Sequence, residues 1–239
     1  MSDGEALVFA RCVGFLFRAP GFSNPAVPAP LRAGLAYVFS LALAQGYATR
    51  ARLPPGGLLA GVITEVLIGA AIGVAASLLY DGAYAGGRIV DDYVGIRVSM
   101  PSAGTVAPSG FGRLWSQAFT TGFFVLGGYR MTLAAFAHGF ETLPPGALVS
   151  AGDLQTFACT LPTTLLRAAL LVAAPAIGIA FAVQCALAAV SRVVSRLSTF
   201  SLSFAVVFAC VLLATLATIP VVVQISATPW FDLSMLRAH

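Results

Sequence analysis

Glu65 stands inside an apolar run from residue 57 to residue 80, where an ionised carboxylate facing lipid costs several kcal/mol. It must therefore face protein or water. Two readings are open, a hydrogen-bonded or arginine-paired structural group and a proton relay. Arg11 and Arg32 lie within or beside the early apolar segments and are the candidate partners. Arg11, Arg32 and Glu65 form the intramembrane charge of the chain. Around Glu65 runs a row in which Gly57, Gly61, Glu65, Gly69, Gly73, Ser77 and Asp81 recur every four residues. Side chains four apart share one inclined row on a helix, so this ridge is a strip of small residues along which another backbone can approach closely. It predicts a packing face against other helices.

Chemistry of the usual enzymatic kinds is poorly supported. The chain has two histidines, His138 and His239, and no phosphate-binding loop, which leaves a histidine-dependent serine, cysteine or zinc site without its base or ligands. Cys12, Cys159, Cys185 and Cys210 sit in apolar surroundings without C-x-x-C spacing and read as buried free thiols, not as metal ligands. One enzymatic pattern can be weighed, the carboxylate pair of an intramembrane aspartyl protease, with Tyr80-Asp81 and Gly152-Asp153 supplying the two acids. It fits badly, because Ser150 and Ala151 precede Gly152 and Asp153 is expected in a loop. No catalytic residue, metal or cofactor is expected. The thirteen arginines, unaccompanied by lysine, are scattered, and no basic patch points to nucleic acid.

The elements that must hold these residues follow from composition. Of 239 residues, 59% are hydrophobic and 9% charged, with mean hydropathy +0.92, whereas a soluble domain is about 25% charged. The apolar stretches are continuous and not alternating, so membrane helices are indicated and not a barrel. Six segments are predicted, at about 4 to 18, 31 to 48, 57 to 80, 114 to 137, 165 to 190 and 199 to 224. Pro20, Pro25, Pro28 and Pro30 predict a rigid extended connector between the first two. Gly86 to Val98 could form a short amphipathic helix, Ser99 to Gly112 reads as a loop, and Pro175 should kink the fifth segment. Asp3, Glu5 and Arg11 argue against a secretory signal peptide at the N-terminus. Counting arginines in the loops gives no consistent orientation, and several segments carry charge. The expectation is a single all-α membrane domain, residues 1 to 239, of about six helices, some kinked or broken, in which the charged segments face protein and the arrangement is not a simple six-span bundle.

The first forty residues resemble the FliR/SctT family of type III secretion export-apparatus proteins: Arg11, then Ala19-Pro20, Val27-Pro28, Arg32 and Gly34-Leu35-Ala36. Further on, Glu65 with Leu67-Ile68-Gly69 and Gly73 is similar to a family segment, as are Gly128, Phe140, Leu143, Pro144 and Gly146, then Pro175, Leu187 and Arg192. The similarity is spread over about 200 residues of the 239. It departs from the family pattern at Arg88, at Asp91-Asp92 and after Arg192, where Ser195-Arg196, Ser198 and Ala205 stand although Phe200 is kept.

The resemblance implies a pore-forming export gate, flagellar or injectisome, at a basal body in the bacterial inner membrane. One copy of the protein would assemble helically with several copies of two smaller membrane subunits and meet the larger switch-type export protein. The cargo would be unfolded secreted proteins. The loop after the third segment, about 97 to 109, is implied to close the channel, with Arg97, Ser99, Met100, Pro101, Gly104, Val106 and Pro108 as the plug. A seal that must yield to any passing sequence suits small residues and adaptable Met. A secondary transporter for a small solute is the alternative, motivated by Glu65, Asp81 and the Pro175 break, although the sequence shows no inverted repeat.

Overall fold

The computed structural model describes residues 2–23, 27–95, 110–193 and 199–225. The chain is 87% helical without a strand among the described residues, so nearly all backbone groups are satisfied within their own segments, as a lipid environment requires. Among the described residues there are seven α-helices: α1 (Asp3–Arg18), α2 (Ala29–Tyr47), α3 (Gly57–Val94), α4 (Gly110–Val125), α5 (Gly128–Thr142), α6 (Ala151–Val193) and α7 (Thr199–Ile225). A 3-10 turn, Ala48–Arg50, follows α2.

The helix ends have local causes. Ser2 and Glu5 form a reciprocal capping box at the start of α1, which satisfies two orphan N–H groups. Pro28 stands at the N-cap of α2 with Pro30 in its first turn, where proline's missing N–H is harmless. Pro30 therefore belongs to the helix and not to the connector. At the start of α6 the Asp153 N–H donates to Ser150 Oγ at 3.1 Å, so Asp153 lies in a helical first turn and not in the predicted loop.

Three predicted boundaries are corrected. The segment expected at 114 to 137 is two helices, because Gly127 takes φ +78°, a left-handed turn that ends one helix and starts the next. The stretch from Gly86 is the continuation of α3 to Val94, not a separate amphipathic helix. The fifth segment begins fourteen residues before 165, and α6 runs on through Pro162 and Pro175 as one helix from Ala151 to Val193.

Three helices are long and apolar enough to cross a membrane among the described residues, within α3, α6 and α7, with mean hydropathies of 2.2, 2.2 and 2.5. At 1.5 Å rise per residue, the 38 residues of α3 and the 43 of α6 extend roughly 57 and 64 Å, about twice the hydrocarbon thickness. Neither can be an ordinary single span confined to lipid.

The chain divides into two compact units. The described residues of the first, 2–23, 27–78 and 127–163, hold α1, α2, α5 and the leading parts of α3 and α6. Its core gathers Val8, Cys12, Phe15, Leu16, Ile68, Ile72, Phe136 and Phe140. Phe15 stacks on Phe136 with ring centroids 4.1 Å apart, and Phe136 meets Phe140 edge-on at 5.3 Å. The second unit holds the remainder of α3 and α6 with α4 and α7; Trp115, Phe119, Val172, Val207 and Val211 are buried there.

Candidate functional site

The small-residue ridge of α3 is what lets α1 come close. A Cβ on Gly61 would press against the Leu7 side chain at 2.9 Å, one on Gly69 would strike the Arg11 carbonyl oxygen, and one on Gly73 would lie 2.6 Å from the Phe15 carbonyl oxygen. The approach is reciprocal, since a Cβ on Gly14 of α1 would strike the Val66 carbonyl oxygen of α3. From Gly61 to Gly73 the ridge thus faces the chain's own first helix. Gly57 opens α3 at φ +78° with nothing near it. Beyond Gly73 the close approaches leave the predicted row. Ser77 is buried and its hydroxyl donates to the Val74 carbonyl oxygen at 3.0 Å, and Asp81 is half-buried. The tight contacts fall instead at Gly82 and Gly86, against Ala168 and Ala169 of α6, and at Gly87, against the backbone of Gly112 in α4.

Within the α1–α3 contact lies a buried ion pair. Arg11 and Glu65 are both fully buried. Arg11 Nε donates to Glu65 Oε2 at 2.5 Å and Nη2 to Oε1 at 2.9 Å, a bidentate fork. Nη1 donates to the Leu143 carbonyl oxygen at 2.7 Å, and the Gly146 N–H donates to Glu65 Oε1 at 2.6 Å. The guanidinium carbon lies 4.4 Å from the centroid of the Phe140 ring, within cation–π range. Each side-chain nitrogen of Arg11 and each carboxylate oxygen of Glu65 thus has a hydrogen-bond partner, the condition under which a buried charge pair is tolerated.

The turn at 143–146 is shaped for this. Gly146 has φ +80°, and a Cβ there would strike the Arg52 carbonyl oxygen. The Arg52 N–H in turn donates to the Pro145 carbonyl oxygen at 2.9 Å. The arrangement ties α1, α3, the end of α5 and the segment before α3 into one clamp.

The other predicted residues fall elsewhere. Arg32 donates from Nε and Nη2 to the Val27 carbonyl oxygen at 3.0 and 2.9 Å, fixing the entry of α2. Pro20 is buried just after α1, and Pro28 caps α2. Gly34 faces open space on α2. Pro144 lies in the clamp's turn, Pro175 is exposed inside α6, and Arg192 is in its last turn. The plug residues Arg97, Ser99, Met100, Pro101, Gly104, Val106 and Pro108 lie outside the described residues. Of the cysteines, Cys12 is buried, but Cys159 and Cys185 are exposed on α6 and Cys210 is intermediate, which corrects the reading of all four as buried.

One positioning residue escapes sequence reasoning. Asp91, 5% exposed near the end of α3, accepts the Phe111 N–H at 3.1 Å through Oδ1. It caps the start of α4 from another helix, where a carboxylate is favoured by the helix dipole. The carboxylate pair before Gly95 was the available signal, but nothing in it names the partner.

Arg11, Glu65, Phe140, Leu143 and Gly146, which lie far apart in the sequence and all carry the resemblance, meet at one point. The sequence model of the family described as bacterial export proteins, family 1, matches residues 5–231. The chain belongs to that family. This is the FliR/SctT family of type III secretion export proteins, and membership makes the protein a membrane component of a bacterial export apparatus. No curated protein matches the chain. The clamp is thus built largely from positions that resemble this family's own pattern.

Proposed function

We propose that the protein is an integral subunit of a type III secretion export gate in the bacterial inner membrane, forming and closing the conduit for unfolded secreted proteins. The observation that carries this reading is family membership over residues 5–231, nearly the whole chain. It acts by assembly and not by catalysis, packing helically with two smaller membrane subunits in multiple copies and meeting the larger switch-type export protein. Helices about twice the length of a single hydrocarbon crossing suit packing in a larger assembly better than an isolated bundle in lipid. So does the apolar surface left open on α2, where Leu31, Tyr37, Val38 and Leu41 are all more than half exposed.

The clamp also speaks against the solute transporter and the proton relay. Both Glu65 oxygens are engaged by Arg11 and Gly146, and the side chain is fully buried. A carboxylate so committed is a structural anchor, and a transported ion or solute would have to displace three donors to reach it.

The closing element in this reading is the segment 97–109. The described residues that flank it in sequence are held together by the Asp91–Phe111 hydrogen bond and the Gly87–Gly112 approach. Deleting Ser99 to Ser109 should leave assembly intact and make the membrane leak ions, measured as conductance of cells or of reconstituted complex. Unchanged conductance in an assembled deletion variant contradicts the plug.

A further inference from the structure

The strand of chain between α2 and α3 borders an open cleft of about 820 Å³, lined among others by Thr49, Arg50, Arg52, Leu53, Pro144 and Leu148. No carboxylate lines it. Arg50 and Arg52 are exposed, and among the described residues neither side chain has a hydrogen bond or ion pair. Both arginines thus border one cavity that no carboxylate lines, and Arg52 also borders an adjoining cleft of about 550 Å³ that Asp3 and Glu5 line.

The base of the cleft is fixed. The Arg52 backbone is bonded to Pro145, and Gly146 of the same turn is bonded to Glu65, so the arginines are displayed from an ordered wall, which lowers the cost of ordering on binding. The rim is apolar: Leu53 and Leu148 are 54% and 56% exposed, and Leu58 and Leu59 in the first turn of α3 are exposed as well. Immediately after the arginines begins α3, one of the helices apolar enough to enter a membrane. A pair of cations beside exposed leucines at the mouth of an apolar helix matches a molecule with an anionic head and hydrocarbon tails. An acidic protein segment would use the charge but leave the leucines and the helix position without a purpose.

We propose that this cleft binds the phosphate-bearing headgroup of an anionic phospholipid. Arg50 and Arg52 donate to the phosphate oxygens, as guanidinium forks do well, while Leu53 and Leu148 flank the first carbons of the acyl chains. The proposal rests on the membrane setting of the export reading but not on its conduit.

The test uses the full chain, purified in mild detergent with the subunits it retains, incubated with phosphatidylglycerol or phosphatidylcholine and read by native mass spectrometry. Phosphatidylglycerol should be retained in preference. The double variant Arg50→Gln/Arg52→Gln should retain roughly 25-fold less of it, taking about fivefold for each arginine near a charged headgroup. Arg130→Gln, exposed on α5, should change nothing, and both variants should keep the wild-type elution volume, since all three side chains are exposed.

Equal retention of the two lipids, or of phosphatidylglycerol by wild type and double variant, overturns the proposal. So does full competition by inorganic phosphate, which would make the cleft a site for soluble anions. Loss of a co-purifying subunit from the double variant with lipid retention unchanged would assign the cleft to an acidic protein segment instead. Lipid retention is read whether or not the strain exports protein, so a failed export role and a failed lipid site are told apart.

Discussion

Removing one member of the Arg11–Glu65 pair strands the other fully buried and uncompensated, and the loss exceeds the worth of the pair itself. Glu65→Gln should lower stability by about 3 to 5 kcal/mol, the range for breaking a buried ion pair, seen as a lower melting temperature in detergent and less intact protein in membranes. Exchanging the two, Arg11→Glu with Glu65→Arg, should not rescue. The Leu143 carbonyl needs a donor and the Gly146 N–H needs an acceptor, and the exchange gives each the wrong partner at about 1 to 3 kcal/mol per unsatisfied group. Recovery of wild-type stability by the exchanged pair would show that the backbone groups contribute little. Gly146→Ala should be as damaging as Glu65→Gln, because it needs both φ +80° and space occupied by the Arg52 carbonyl oxygen. At this scale the sequence shows side chains and hides backbones. A lone glutamate in an apolar helix announces that it has a partner, and Arg11 is a short step away. The carbonyl of Leu143 and the amide of Gly146 carry no residue-type signature at all.

Between helices, what matters is how close two backbones come. Gly69→Ala places a methyl group against the Arg11 carbonyl oxygen, and α1 must shift away from α3, stretching the clamp. Overpacking of this kind costs about 1 to 3 kcal/mol. Gly34→Ala points into open space on α2 and should instead gain about 0.5 to 1 kcal/mol from helix propensity. Thermal melts of the two variants in one detergent check the contrast, and similar shifts in both would mean that the ridge has no special role.

Asp91→Ala should cost about 1 kcal/mol as a lost cap and speed hydrogen exchange in the first turn of α4 while leaving α1 unchanged. The period-four row around Glu65 was legible because small residues at that spacing have one geometric meaning. Its end was not, since the approach of α6 to Gly82 and Gly86 is set by tertiary packing. The length of α3 was underestimated for a different reason. Hydropathy falls where Asp81, Arg88, Asp91 and Asp92 enter, yet no proline stops the helix before Pro101. Polar composition marks a change of environment, not a change of backbone.

For the whole molecule, large apolar side chains stand exposed on several helices: Leu31 and Val38 on α2, Leu59 on α3, Leu166 and Leu170 on α6, and Leu213 on α7. Single scattered apolar side chains need no explanation, but so many on so many helices require lipid or other protein to cover them. Composition alone gave the membrane and the helical class. Assignment to an export apparatus needed the order of motifs along the chain, since no single glycine or proline among them is distinctive. The subunit reading predicts that the protein is unstable when made alone and is recovered when its partners are present.

The most direct measurement is native mass spectrometry of a tagged copy extracted in mild detergent from cells that make it at normal levels. The account predicts one copy of this chain bound to several copies of two smaller membrane proteins. A chain that emerges alone and stable, binding a small solute, would contradict it.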